Sequence, residues 1–238
     1  MKYYNELNKK IIETPKFDID ILNRSGRKLY SFVNPFSYEV ISNNKELIDG
    51  VDGWYVDGML LCKLIKYKYN VMIERTSFDF SSIANDVFET ANDNCLKIAL
   101  IGATSAEVER AVEALERKYN ALDIVITSDG YLDEIKEKSI ISEIIKLKPS
   151  LIILGMGTPY QEVFGLKIKK RADYNCAIYT CGGFITQTSI RDDYYYPIVK
   201  KLNLRSLQRF IFHSHVRQRV INKYPKFIYN YLMAKNND

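Results

Sequence analysis

The chain of 238 residues lacks most of the features that would place it outside the ordinary globular proteins. It has no apolar run near the roughly 20 residues that a membrane-spanning helix needs. Its start, Met1-Lys2-Tyr3-Tyr4-Asn5-Glu6, has no apolar segment of the kind a secretory leader carries, so a cytoplasmic location is expected. The four cysteines (Cys62, Cys95, Cys176, Cys181) form no Cys-x-x-Cys pair, and His213 and His215 are the only histidines. Zinc is therefore not expected, and the cysteines read as reduced, buried thiols. No Asp-x-Asp triplet follows a strand end where Mg²⁺ would be held; Asp18-Ile19-Asp20 lies early, in what reads as a strand. Neither an internal repeat nor a low-complexity linker is present.

Charge is unevenly distributed. From Val199 onward there are nine basic residues and one acidic, a net of +8, so the +5 of the whole chain leaves −3 for residues 1–198. The chain divides near Pro197 into a domain of residues 1–197 and a basic, amphipathic C-terminal appendage of residues 198–238. In the appendage, Leu204, Leu207, Phe210 and Ile211 suggest one amphipathic helix. Val220, Tyr224, Phe227, Ile228 and Tyr231 suggest a second, interrupted or kinked at Pro225. Such a pair can lie on an anionic bilayer surface, or pack on its parent domain with a solvated basic face. Nucleic acid is the weaker fit.

The first domain alternates strands and helices. Strands are expected at 28–33, 53–56, 96–101, 122–126, 151–154 and 177–180. Thr104 and Glu107 form a capping box for a helix with Val108, Ala111, Val112 and Leu115 on one face. Ile140, Ile141, Ile144 and Ile145 face inward from another, and Phe80, Ile83, Ala84, Val87, Phe88 and Ala91 form a stripe on a helix from Asp79. This rhythm demands parallel pairing with right-handed crossovers: an α/β, Rossmann-like, doubly wound parallel sheet with its loops gathered at the strand C-termini.

One stretch is specific. Leu151–Leu154 is followed by Gly155-Met156-Gly157-Thr158-Pro159-Tyr160-Gln161-Glu162, in which Thr158 reads as an N-cap, Pro159 as the first helical residue and Gln161 as the partner of the cap. Two glycines against a helix N-terminus suit an anion such as phosphate. It is not the dinucleotide fingerprint, because Tyr160 stands at the third glycine position and the strand is a late one. Other candidates end strands too. Asp57, before Gly58, is either a general base or a helix cap. Arg75 is either a diphosphate ligand or a surface ion pair with Glu74 or Asp79. Asn34 is either a sugar-orienting group or an Asx-turn. Gly102, Asp129 and Gly182 stand at the same edge, as ligand-approach points or plain turns.

Together these pieces resemble the WecG/TagA/CpsF glycosyltransferase family from about Leu29 to Arg219: Val33-Asn34, Val56-Asp57-Gly58-Met59, Glu74-Arg75, Ala99-Leu100-Ile101-Gly102, Asp129-Gly130-Tyr131, the 155–162 stretch and Cys181-Gly182-Gly183. The resemblance implies inverting, metal-independent transfer of a sugar from a UDP-sugar to a lipid-diphosphate-linked saccharide, without a cofactor, at the inner face of the plasma membrane. It implies Asp57 as base, Arg75 on the diphosphate, Asn34 and Gln161 positioning substrate, and Arg209, Arg217 or Arg219 closing the site from the appendage. A homo-oligomer is compatible with it. The chain departs from the family pattern at Phe32 (a Thr there is usual), at Arg75-Thr76-Ser77-Phe78-Asp79 (a glycine is missing), at Thr186 (usually Asp) and at Arg205-Ser206 (usually Glu-Trp). These departures keep open a non-catalytic relative that binds nucleotide or glycan within a polysaccharide assembly complex.

Overall fold

A computed structural model describes residues 3–19, 26–190 and 214–234. Runs rich in Val, Ile and Leu become six strands: β1 (Arg27–Val33), β2 (Gly53–Val56), β3 (Lys97–Gly102), β4 (Asp123–Ser128), β5 (Leu151–Gly155) and β6 (Cys176–Thr180). They form one sheet in the order β2-β1-β6-β5-β3-β4, parallel at every pairing. The helices are α1 (Tyr4–Glu13), α2 (Pro35–Ile41), α3 (Lys45–Gly50), α4 (Met59–Tyr69), α5 (Ala84–Asp93), α6 (Ser105–Lys118), α7 (Glu134–Leu147), α8 (Tyr160–Arg171), α9 (Phe184–Ile190) and α10 (Ser214–Met233). The architecture is the Rossmann-like α/β fold expected from the sequence, with a C-terminal helix.

Successive strand residues face opposite layers, as the pleat requires. Leu29, Ala99, Ile101, Ile152, Leu154 and Ile178 join the core formed with α1 to α4, α7, α8 and α10. Their neighbours Tyr30, Ile98, Leu100, Ile153 and Tyr179 join the opposite core, formed with α5, α6 and α9. Strand β2 lies at an edge yet is buried throughout. Its outer side is covered where Val56 bridges Arg75 and the Thr76 N–H donates to Val56 O at 2.9 Å.

Four local expectations need correction. The helix expected from Asp79 begins at Ala84, because the Asp79 carboxylate accepts the Ser81 N–H at 2.8 Å and holds a turn before it. No strand forms at Asp18-Ile19, and Asp20 lies outside the described residues. There Phe17 turns onto Tyr55 and Tyr179, taking the chain across a sheet face instead of along an edge. Cys62, Cys176 and Cys181 are buried and free, but Cys95 is exposed in the left-handed turn that ends α5. Finally, α10 is not interrupted at Pro225, which lies inside the helix.

Packing explains the last point. A proline inside a helix costs about 3 kcal/mol, and burial of Phe227 and Tyr231 against α1 and α2 offsets it. Both side chains are almost fully buried, with ring centroids 5.5–5.9 Å from Tyr38 and Tyr4. The Tyr231 hydroxyl donates to Asn8 Oδ1 at 2.8 Å, and Asn8 Nδ2 donates to the Tyr69 hydroxyl at 2.8 Å. Lys68 Nζ donates to the Tyr231 carbonyl at 2.9 Å. The first helix expected in the appendage, at Leu204 to Ile211, lies outside the described residues.

Removing the Tyr231 hydroxyl strands a buried acceptor. Tyr231→Phe is expected to cost about 1–2 kcal/mol and Tyr231→Ala about 3–5 kcal/mol. Urea titration should show both as a lower midpoint at unchanged slope.

Candidate functional site

Because every strand runs the same way, Asn34, Asp57, Gly102, Asp129, Gly155 and Gly182 all emerge at one edge of the sheet. The register sets Asn34 beside Asp57, since Val33 pairs with Val56 and the Asp57 N–H donates to Val33 O at 2.8 Å. Gly102 pairs with Gly155 and Leu154 with Thr180. From β2 to β5 is three strand spacings, about 14 Å. The edge therefore has two centres: a charged one at β1 and β2, and a glycine-rich one at β5 and β6.

At the charged centre, Arg75 Nη2 lies 3.0 Å from Asp57 Oδ1 and 3.1 Å from Asp79 Oδ2. The backbone bridge to Val56 delivers Arg75 to this spot. Asp57 does not cap α4: the N-cap position is Gly58, at φ 128°, and no side chain caps the helix. That leaves the carboxylate to the guanidinium, with 25% of its side chain exposed at the edge. Asp79 is the more buried partner, and it also accepts from Ser77 Oγ at 2.8 Å and from the Ser81 hydroxyl. Burial pushes the Asp79 carboxyl up. The Ser81 hydroxyl, the Arg75 charge and the Ser77 hydroxyl outweigh that and hold it below the usual carboxylate range.

At the second centre the capping expectation fails. Helix α8 starts at Tyr160 with Pro159 at the N-cap position, one residue later than the sequence suggested, and the Thr158–Pro159 peptide is cis. The Thr158 hydroxyl turns inward to Glu162 Oε1 at 3.1 Å and caps no helical N–H. Gln161 is 3% exposed; its Nε2 donates to Glu162 Oε1 at 2.9 Å and its Oε1 accepts the Gly182 N–H at 3.2 Å. Burial pushes the Glu162 carboxyl above the ordinary range, opposed in part by hydrogen bonds from Gln161 and Ser31. Gly157 and Gly182 have φ of 78° and 54°, with no atom within 4 Å of where a side chain would begin. Gly102 and Gly155 are the opposite case: a Cβ on Gly102 would lie 2.5 Å from Gly155 O. The first pair borders open space, whereas the second is strand packing.

The other candidates are engaged locally. Asn34 Oδ1 accepts the N–H groups of Phe36 and Ser37 and so caps α2. Asp129 Oδ2 accepts from Lys136 Nζ at 2.6 Å and Ser105 Oγ at 2.9 Å, and Lys136 leads in holding its carboxyl below the usual range. Arg209 lies outside the described residues, as do the side chains of Arg217 and Arg219 in the first turns of α10. Two family departures meet: Phe32 stacks on Tyr55 at 5.5 Å and meets Phe78 edge-on at 6.3 Å. Thr186 reaches Glu107 on α6.

Sequence reasoning offered Asp79 as an ion-pair partner of Arg75 but missed Ser77 and Ser81, which donate to that carboxylate, and Ser31, Thr180 and Glu162 beneath the second centre. A serine at an inward position of β1, between Leu29 and Val33, was the readable sign of the latter. Among the described residues no three His, Cys, Asp or Glu side chains gather as a metal-holding group, and no helix is long and apolar enough to cross a membrane.

A doubly wound sheet with a carboxylate–guanidinium pair and an open glycine loop on one edge has the architecture in which ligands bind outside the strand C-termini. The chain belongs to the WecG/TagA/CpsF family of glycosyl transferases, whose sequence model matches residues 18–238. It is 40% identical over 222 residues, 93% of each chain, to a UDP-Gal:alpha-D-GlcNAc-diphosphoundecaprenol beta-1,4-galactosyltransferase of Shigella boydii. It is 37% identical over 78 residues to an N-acetylglucosaminyldiphosphoundecaprenol N-acetyl-beta-D-mannosaminyltransferase of Staphylococcus aureus, covering 29% of this chain and 30% of that one. The protein is a glycosyltransferase of cell-surface polysaccharide synthesis.

The Asp79 pairing makes a test of the charged centre. A carboxyl with a lowered folded pKa stabilises the protein above its unfolded pKa and loses that contribution as pH falls through the folded value. Asp79→Asn is expected to lose about 2 kcal/mol at pH 7. The gap to wild type should close in acid, read by denaturation at pH 7 and below 4.

Proposed function

We propose that the protein transfers a sugar from a UDP-sugar to a lipid-diphosphate-linked N-acetylglucosamine by direct, inverting displacement, with Asp57 as general base. The observation that carries this is the Asp57–Arg75 pair, half-open at the strand ends of β1 and β2 and on the same edge as the Gly157 and Gly182 loops. Asp57 takes the proton of the acceptor hydroxyl. The new bond forms from that oxygen to the anomeric carbon as the bond to the β-phosphate oxygen breaks and UDP leaves. The beta linkage in the name of the Shigella boydii relative supports inversion, because UDP-galactose is an α-glycoside.

Arg75 is assigned to Asp57 and not to the diphosphate, because two carboxylates already share its Nη2. The first turn of α8 and arginines of the C-terminal segment (Arg209, Arg217, Arg219) take the leaving charge in place of a metal ion. Asn34 and Thr158 border the sugar. Galactose is the donor favoured by the relative matched along most of its length.

Purified protein given UDP-galactose and a synthetic GlcNAc-diphosphate lipid should form a β-linked disaccharide lipid in the presence of EDTA. Asp57→Ala should lower kcat by about 10³; wild-type turnover in that variant would remove the base from the mechanism. UDP-N-acetylmannosamine in parallel tests the donor. The basic residues beyond Pro197 are proposed to dock on the cytoplasmic face of the membrane. Truncation would also strip Phe227 and Tyr231 from the core, so the test is charge removal at Lys200, Lys201, Arg205 and Arg209. With about 1 kcal/mol per charge at an anionic surface, the quadruple Gln variant should cease to float with phosphatidylglycerol vesicles. Unchanged flotation would end the docking proposal.

A further inference from the structure

Glu162 has no exposed surface, and among the described residues no cation lies against it. Its Oε1 is the common acceptor for Ser31 Oγ at 2.8 Å, Gln161 Nε2 at 2.9 Å and Thr158 Oγ1 at 3.1 Å, while Oε2 meets no hydrogen-bond partner among the described residues. Thr180 Oγ1 donates to Ser31 Oγ at 2.8 Å, carrying the network to the last residue of β6. A buried carboxyl is a costly way to fill space, and an apolar side chain of similar volume usually serves stability as well or better. What only an acceptor can supply here is a direction for the amide of Gln161. With Nε2 drawn to Glu162, Oε1 of that amide must face the Gly182 N–H. The backbone N–H of Gln161 holds Gly157 O at 3.0 Å. One residue thus spans the two loops whose glycines border open space.

We infer that Glu162 is a positioning residue: by orienting Gln161 it sets the spacing of the Gly157 and Gly182 loops, which together seat the diphosphate of the donor. The diphosphate rests on the sugar-transfer reading; the loop spacing does not, and the experiment separates them. Glu162→Leu keeps the packing and removes the acceptor, whereas Glu162→Gln keeps an acceptor oxygen. Amide hydrogen exchange of the folded protein, with no substrate present, should show Gly182 exchanging at least about tenfold faster in the Leu variant and within about twofold of wild type in the Gln variant. Gln161→Met, which leaves Glu162 in place, should reproduce the Leu result and serves if the Leu variant does not fold.

With UDP-galactose, KM for the donor should rise about tenfold in the Leu and Met variants, with kcat and the acceptor KM changed less than about twofold. The double variant should match a single one, because the two residues act in series. Equal Gly182 exchange in all variants would overturn the positioning role, as would multiplicative effects on KM. Altered exchange in a protein that neither binds UDP nor transfers sugar would leave the loop claim standing and sink the transfer reading.

Discussion

One constraint organises this enzyme: six strands that all run in the same direction. Parallel pairing sends each strand's C-terminus to one edge, so residues as far apart in sequence as Asn34 and Gly182 become neighbours without any special contact between them. Everything chemical in the molecule is local elaboration of that edge. The register adds the finer adjustment, setting Asn34 against Asp57 and Leu154 against Thr180.

The two centres solve the problem of a carboxylate away from bulk water in different ways. Asp79 sits with a guanidinium and two hydroxyls, and its charge is stabilised despite burial. Among the described residues Glu162 has hydroxyls and an amide but no cation, and its ionisation is penalised. The first arrangement keeps Arg75 in place beside the half-open Asp57. The second holds backbone loops. Under the proposed transfer the two would serve opposite ends of the substrate, a fixed carboxylate–guanidinium pair at one and fixed main-chain donors at the other.

Much of this was legible in the sequence because periodicity and strand-end punctuation are local signals. The apolar runs at 97–102 and 151–155, and the capping box of Thr104 and Glu107, appear where expected. Asp57 and Arg75 were recognisable as candidates, but the sequence left each as either a functional group or a bland one. Only tertiary placement removed Asp57 from the role of helix cap and gave it to Arg75. Thr158 misled for a related reason. The residue order satisfied a cap, but a buried carboxylate four residues on competed for its hydroxyl, and a competitor inside the core is invisible to a local pattern. The start of α5 failed likewise, where the Asp79 side chain reached a backbone amide two residues ahead and delayed the helix. Ser31, Thr180 and Glu162 lie on three elements far apart in the chain, and no spacing rule would have joined them.

The bond between Asn8 and Tyr231 has a consequence for biosynthesis. It links positions 223 residues apart, and the same cluster supplies the apolar partners of the first helix. As the chain leaves the ribosome, the sheet and both its layers can collapse while Tyr4 still lacks the tyrosine ring and Asn8 the hydroxyl that α10 brings. Closure of that corner waits for Phe227 and Tyr231 to be made, so α1 acquires its final neighbours only after all six strands have been synthesised.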